Sequence, residues 1–216
     1  MNENFILSCE STANLTSDYI DQKHIQILPR KGEAASADDY CKYFRSVLQQ
    51  GDLLHILHGD RTASISAPIM EAVETISAEF PHRLLLIADS VSSTAGYQLL
   101  VEVAVELRDC GECLEAAAEW LATLRSRVHS HLWKNELSEA SLGSAMSEMV
   151  ESLEGDLSYS GKCCISHSNA AAQAEAIKVR VESTFPNLKG KVQISEIAIP
   201  MYGHSPAMGV ALCYMG

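Results

Sequence analysis

The chain has 216 residues, 47% of them hydrophobic, and a formal net charge of −12. This length fits one large domain or two small ones, and the apolar fraction is sufficient for a core. The acidic charge argues against binding of nucleic acid, which needs a cationic surface. The absence of any apolar run of roughly 18 residues argues against integral membrane contact.

Short apolar runs alternate with helical patterns in the first half of the chain. The run at residues 53–57 is almost continuously apolar, which is typical of a strand buried on both faces of a parallel sheet. Ser36 is predicted to cap a helix that extends to about Gln50, because acidic residues follow it in the first turn. The predicted strands are 5–9, 24–28, 53–57 and 84–88, and a further helix is predicted to end near Phe80.

The second half continues the same alternation. The predicted helices are 94–109, 112–128, 136–153 and 170–185, and the predicted strands are 162–166, 192–199 and 209–214. Strands separated by helices of ten or more residues indicate an α/β fold. We expect a parallel-sheet domain with flanking helices at residues 1–130, followed by a smaller, truncated α/β domain at residues 131–216.

The seven cysteines are an odd number, which favours a reducing compartment. Residues 1–9 lack the positive charge and the apolar length of a signal peptide, so we expect a cytoplasmic protein. Cys110 and Cys113 have the spacing of a redox pair, but they fall within a run of helical character instead of after a strand. We therefore interpret them as part of a junction between two helices.

Hydroxyl-bearing residues follow several predicted strands, at the end of the sheet where α/β proteins bind ligands. The segments concerned are 8–14, 58–64, 89–94 and 203–205. Hydroxyls, loop N–H groups and a histidine suit an anionic oxygen ligand such as a carboxylate or phosphate. The alternative is that these Ser and Thr residues simply cap the helices that follow.

Several motifs of known enzymes are absent from the sequence. There is no Gly-x-Ser-x-Gly elbow, no Gly-x-x-x-x-Gly-Lys-Ser/Thr loop and no Gly-x-Gly-x-x-Gly. No His, Cys, Asp or Glu cluster has a strong metal spacing, and His55 is interpreted as a core or interface histidine. We therefore expect no metal and no cofactor.

Five segments, in order along the chain, resemble the DegV family. Residues 6–15 resemble its opening strand followed by Asp-Ser-Thr-Ala-Asp-Leu, and residues 87–97 resemble its strand ending in Asp-Ser with a small-residue turn. Residues 156–169 and 185–192 resemble parts of its C-terminal domain, and residues 202–207 resemble its Gly-x-His-Thr-Gly-Pro-Gly loop.

The resemblance implies an EDD-type fold in which two α/β domains enclose one long-chain fatty acid. Some members present this lipid to a separate fatty-acid kinase, so the chain is expected to be a binding subunit and not a catalyst. Thr62, in the place of the family's Ser-Gly-Thr, is the expected carboxylate ligand, and His204 matches the histidine of the terminal loop. With the hydroxyls of the neighbouring loops, the expected ligand-binding residues are Thr62, Ser64, His204, Ser205, Ser92, Ser93, Ser11 and Thr12.

The chain also departs from the family's pattern. Gly32, Glu33 and Ala34 replace a Thr-Ser-Gln segment, and the Arg-Gly-Gly-Arg stretch that normally follows Trp133 is missing. The lipid tunnel is therefore open, occupied by a different ligand, or completed by a second copy in a homodimer. Two other functions stay open: an interaction protein without lipid binding, and a Ser/His hydrolase or phosphotransferase that uses the same loops.

Overall fold

The computed structural model describes residues 5–29, 35–59, 67–90, 94–134, 137–197 and 209–216. The chain forms two compact units, Met1–Arg125 and Ser126–Gly216, each with its own sheet. The predicted α/β class is confirmed. The division of the sequence into domains after residue 130 stays a prediction. No helix within the described ranges is long and apolar enough to cross a membrane.

The first unit contains a parallel four-stranded sheet. Its strands are β1 (Ile6–Glu10), β2 (Gln26–Leu28), β3 (Leu53–Leu57) and β4 (Leu85–Asp89), in the order β2-β1-β3-β4. All three strand pairs are parallel. Parallel neighbours need crossover connections, which explains why helical segments separate these strands along the chain.

Five helices accompany this sheet within the described residues. They are α1 (Ser17–Gln22), α2 (Ala37–Leu48), α3 (Ala67–Glu79), α4 (Thr94–Asp109) and α5 (Leu114–Leu124). Leu53 and Leu57 of β3 pack into a core with α2 and α3. Leu54 and Ile56, which are also buried, alternate with them and project to the opposite face, because strand side chains have a period of two. The continuous apolar run of β3 therefore covers both faces of the sheet.

Ser36 caps α2 as predicted. Its hydroxyl accepts the N–H of Asp39 at 3.2 Å, and the Asp39 carboxylate accepts the N–H of Ser36 at 3.0 Å. This reciprocal capping box satisfies two backbone donors at the helix start. The cap is a purely local feature, since both partners lie within one turn of the sequence.

The second unit contains a mixed sheet. Its strands are β5 (Val128–Lys134), β6 (Cys163–Ser168), β7 (Gln193–Glu196) and β8 (Gly209–Met215), in the order β5-β8-β6-β7. Strand β8 runs antiparallel to β5 and β6, whereas β6 and β7 are parallel. Helices α6 (Glu139–Ser152) and α7 (Ala171–Thr184) pack on one face, and their buried residues share a core with Ile165 and Leu212.

Strand β5 corrects the helix predicted at residues 112–128. Helix α5 ends at Leu124, and Val128 begins β5, which pairs along its whole length with β8. Val128 is the register partner of Met215, far along the chain. A local pattern of alternating polar and apolar residues does not reveal such a partner, so the sequence predicts no strand at these residues.

Candidate functional site

The carboxyl ends of β1, β3 and β4 meet at one edge of the first sheet, because these strands are parallel neighbours. Glu10 ends β1, His58 and Gly59 follow β3, and Ser90 follows β4. Ligands of open α/β sheets bind at such edges. We call this region the carboxyl edge.

Glu10 is hydrogen-bonded to tyrosine side chains of two different helices. Its side chain, only 3% exposed, accepts a hydrogen bond of 3.0 Å from the Tyr40 hydroxyl of α2. Its backbone N–H donates to the Tyr97 hydroxyl of α4 at 2.8 Å. That hydroxyl in turn donates to the carbonyl of Ile56 at 2.7 Å. Tyr97 thus connects the end of β1 to the end of β3.

Burial raises the pKa of Tyr97 well above its ordinary value. The hydroxyl therefore keeps its proton near neutral pH, and can accept one hydrogen bond while it donates another. His58 stacks on the Tyr97 ring with a centroid distance of 5.3 Å and an interplanar angle of 19°. Tyr97 consequently positions both the residue that ends β1 and the residue that follows β3.

Ser90 fixes the ends of β3 and β4 relative to each other. Its N–H donates to the Leu57 carbonyl at 3.1 Å, and its hydroxyl accepts the N–H of Gly59 at 3.0 Å. Ser90 is itself buried. The backbone that follows β3 is therefore held next to the end of β4 by Ser90, in addition to the hydrogen bonds between the two strands.

A short 3₁₀ turn, Ser11–Ala13, carries the chain away from β1. Asn14 closes the turn in the left-handed region at φ 54°, and its N–H donates to the Ser11 carbonyl. The Thr12 Oγ1 atom is buried and has no hydrogen-bond partner within the structure. A buried hydroxyl without a partner costs about 1–3 kcal/mol. Thr12 is thus a polar group at the carboxyl edge that is suited to a ligand oxygen.

His55 lies in the interior of the first unit. Its Nδ1 is 2.7 Å from the Ser8 hydroxyl, and its ring makes edge contacts with Tyr43 and Phe44 at centroid distances of 5.9 and 5.2 Å. The ring is fully buried. These contacts agree with the interpretation of His55 as a core histidine. Across the described ranges, no group of three or more His, Cys, Asp or Glu residues could hold a metal ion.

Six of the eight predicted ligand-binding residues lie outside the described residues: Thr62, Ser64, Ser92, Ser93, His204 and Ser205. Their roles stay predictions. Gly59 and Ser90, the described residues that precede the segments holding the first four of these, are hydrogen-bonded to each other at the carboxyl edge. Ser11 and Thr12 both lie in the turn after β1, at the same edge.

The sequence analysis included His58 and Ser90 in its candidate ligand segments, but it did not identify the contacts by which Tyr40, His58, Ser90 and Tyr97 organise this edge. Tyr97 lies in a segment that the family resemblance covered, and Ser90 follows a predicted strand. Their partners, however, are 30 to 87 positions away along the chain. No local pattern could have indicated these pairings.

Neither a protein-family model nor a curated protein matches the sequence. Solved structures do. A stearic acid-binding protein from Eubacterium ventriosum superposes with a TM-score of 0.74 at 13% identity, covering 97% of this chain and 98% of its own. The chain has the DegV fold. A DegV family protein from Thermus thermophilus superposes with a TM-score of 0.72 at 16% identity, covering 99% of this chain and 100% of its own.

A third DegV-fold structure is the fatty acid kinase B3 protein of Streptococcus pneumoniae, which was crystallised with linoleic acid. Its TM-score is 0.73 at 13% identity, covering 98% of this chain and 99% of its own. The resemblance stated from the sequence is therefore confirmed in the fold. At these low identities the comparisons establish the fold, and they do not assign roles to individual side chains at the carboxyl edge.

Proposed function

We propose that this chain binds a long-chain fatty acid and holds its carboxylate at the carboxyl edge of the first sheet. The observation that carries the proposal is the buried, unpartnered Thr12 hydroxyl at that edge, in a fold whose solved examples include proteins loaded with fatty acids. Tyr97 and Ser90 hold the surrounding backbone in place, so the Thr12 turn is positioned before a ligand arrives.

The chemistry of a fatty acid fits this arrangement. A carboxylate that accepts hydroxyl and N–H donors in a partly dry site forms charge-assisted hydrogen bonds. We propose that Thr62, Ser64, Ser92 and Ser93 supply further donors with Ser11 and Thr12, and that His204 and Ser205 contribute from the terminal loop. Each buried methylene of the tail adds about 0.8 kcal/mol, so the tail supplies most of the affinity.

We further propose that the chain is a binding subunit that presents the acyl group to a fatty-acid kinase, and not itself a catalyst. The name of the pneumococcal protein, a fatty acid kinase component loaded with linoleic acid, supports this role. The proposal includes a cytoplasmic location. All seven cysteines are free, as is usual in a reducing compartment.

The first experiment asks whether lipid is bound at all. Protein purified without added lipid is denatured and extracted with organic solvent, and the extract is analysed by mass spectrometry. The delipidated protein is then titrated with oleate and palmitate by calorimetry. We expect one equivalent of a long-chain fatty acid per chain. If no lipid co-purifies and none rebinds, the chain is a divergent protein without lipid binding, and the proposal is wrong.

The second experiment tests Thr12. Thr12→Val removes the hydroxyl and keeps the shape, and should weaken fatty-acid binding by about 1–2 kcal/mol, or roughly five- to thirtyfold. Thr75→Val is the matched control, since Thr75 is exposed on α3 and bonds only the Glu71 carbonyl of its own helix. Equal affinities of the two variants would show that Thr12 is not a ligand.

We also propose, as a variant of this function, that a second copy of the chain completes the lipid cavity in a homodimer. It predicts that the molar mass from light scattering doubles when fatty acid binds. A chain that binds lipid at full affinity as a monomer would rule this form out and leave the lipid site itself intact.

A further inference from the structure

Strand β5 forms one edge of the second sheet. It pairs along its seven residues with β8, and no described strand lies on its other side. The N–H of Gly216 donates to the carbonyl of Arg127 at 3.0 Å, so these two residues form a hydrogen-bonded pair just before β5 begins. Hydrogen-bonded pairs alternate along an antiparallel ladder, so His129, His131 and Trp133 direct their backbone groups to β8.

The alternate residues of β5 direct their backbone N–H and C=O groups away from β8. In the body of the strand these residues are Ser130, Leu132 and Lys134. Their outward groups have no hydrogen-bond partner in the part of the chain that the structure describes. We call this row of backbone groups the open edge. Leu132 is 61% exposed and Lys134 is also exposed, so the open edge is accessible to another chain.

Proteins normally protect the edges of their sheets. Edge strands are kept short, or carry proline, a bulge or charged side chains, because exposed N–H and C=O groups invite pairing with another strand. The opposite edge of this sheet follows that rule, since β7 spans only Gln193–Glu196 and ends in an acid. β5 has seven residues in continuous register with β8, and its only Lys or Arg is Lys134 at its end. A long and regular open edge of this kind is suited to accept an added strand.

The charges around β5 indicate which chemistry an added strand must have. Residues 120–135 contain Arg125, Arg127 and Lys134 and no Asp or Glu, in a chain whose net charge is −12. Arg125 and Lys134 are exposed, and neither forms an ion pair with a described residue. At physiological ionic strength, charges more than about 8 Å apart are largely screened, so these cations outweigh the acidic surface elsewhere. The surroundings of the open edge are therefore basic.

Glu148 approaches β5 from the other face of the strand. Its carboxylate lies 3.6 Å from the Nδ1 of His131. His131 shares a face of β5 with Trp133, which packs in the core with α6 and α7. Leu132 and Lys134 project from the opposite face, because strand side chains alternate. An exposed apolar side chain and an exposed cation thus lie together beside the open edge.

We propose that the open edge binds an acidic peptide segment of a partner protein, which adds to the second sheet as an extended strand beside β5. The backbone groups of Ser130, Leu132 and Lys134 supply the main-chain hydrogen bonds. Arg125, Arg127 and Lys134 attract the carboxylates of the peptide, and an apolar side chain of the peptide contacts Leu132.

A second copy of β5 fits the open edge less well than an acidic peptide. If two β5 strands paired antiparallel about His131, Lys134 of each copy would lie near Arg127 of the other, so like charges would meet. An acidic strand replaces this repulsion by attraction. The proposal rests on the geometry and charge around β5 and does not depend on fatty-acid binding.

The experiment titrates the full chain into a fluorescein-labelled peptide in which Glu and Val alternate, Glu-Val-Glu-Val-Glu-Val-Glu, and follows fluorescence anisotropy at physiological ionic strength. Two control peptides separate charge from backbone. One has Lys in place of Glu, and the other carries N-methyl groups on two adjacent central residues, which blocks both of its edges. We expect each control to bind about tenfold more weakly than the acidic peptide. Equal affinity of either control would overturn the proposal.

Amide hydrogen exchange, measured by NMR, identifies the place of binding. The acidic peptide should slow exchange at the amides of Ser130, Leu132 and Lys134, while the intervening amides, which already bond to β8, change little. This alternation is specific to an added strand, so protection that does not alternate would refute the proposed mode. Protection of the same amides in concentrated protein without peptide would show that a second copy occupies the open edge, and would also overturn the proposal.

Two variants test the open edge and its charge. Ser130→Pro removes one outward donor and keeps the bonds to β8, because edge strands tolerate proline where the N–H faces away from the sheet. Lys134→Glu reverses the exposed charge. Each should weaken binding of the acidic peptide by about tenfold.

Each variant has a matched control. Ser130→Ala keeps the backbone donor, and Lys191→Glu makes the same charge change at an exposed position just before β7, at the opposite edge of the sheet. Both controls should bind within about twofold of the unchanged chain. Full affinity of a folded Ser130→Pro, or equal loss in the two lysine variants, would contradict the proposal. If Ser130→Pro does not fold, the lysine pair decides the question by itself.

Discussion

Tyr97→Phe is the most direct test of how the carboxyl edge is built. The Tyr97 hydroxyl accepts from the Glu10 N–H at 2.8 Å and donates to the Ile56 carbonyl at 2.7 Å. Phenylalanine keeps the ring and its stacking with His58 but removes both hydrogen bonds. A buried N–H and a buried C=O each lose a partner, so we expect the free energy of unfolding to fall by about 2–4 kcal/mol.

Urea denaturation measures this loss, and hydrogen exchange locates it. The Glu10 amide should exchange faster in Tyr97→Phe, while amides of the second unit keep their protection. Tyr19→Phe is the matched control, because Tyr19 is only partly buried and its hydroxyl makes no hydrogen bond to another described residue. That control should change stability by less than about 0.5 kcal/mol.

The two variants together decide the argument. If Tyr97→Phe unfolds at the same urea concentration as Tyr19→Phe, the hydroxyl does not connect β1 to β3. If stability falls but the Glu10 amide keeps its protection, the loss arises elsewhere in the unit. Either result would refute the description of Tyr97 as the residue that positions the carboxyl edge.

Two further predictions concern single residues in the two units. Ser36→Ala removes the capping box of α2 and should lower the free energy of unfolding by about 1 kcal/mol in urea denaturation, with Ser46→Ala on the same helix as control. Burial lowers the pKa of His131 below the ordinary 6.5, even though Glu148 opposes the shift. The unfolded chain therefore gains a proton near pH 6.5 before the folded chain does, and the second unit should lose stability as pH falls below that value. His131→Phe should flatten this pH dependence; an unchanged slope would show that His131 does not cause it.

The local features of the fold were predictable from the sequence. The strand at Leu53–Leu57 and the helix at Thr94–Asp109 have the predicted bounds, because a continuous apolar run and a long helical period are signals carried by neighbouring residues. The Ser36 cap has the same origin. The α/β class follows from the alternation of such segments, and the family resemblance added the fold that the comparisons confirm.

Strand β5 and the residues of the carboxyl edge could not be predicted in this way. β5 exists because β8 pairs with it, and its own residues are a mixture of histidine, serine and apolar side chains. Tyr97 is an ordinary helical residue in the sequence, and only the packing of α4 brings its hydroxyl to Glu10 and Ile56. Sequence reasoning identified Thr12 as a candidate but not the absence of a partner for its hydroxyl.

The sequence alone determined most of the strands and helices, with β5 as an exception, since those preferences depend on residues within a turn or two. The tertiary structure decided which polar groups are paired and which, such as the Thr12 hydroxyl, lack a partner at the carboxyl edge. The physical reason is that hydrogen-bond partners and burial depend on residues brought together from distant parts of the chain. Neither is a property of the local sequence.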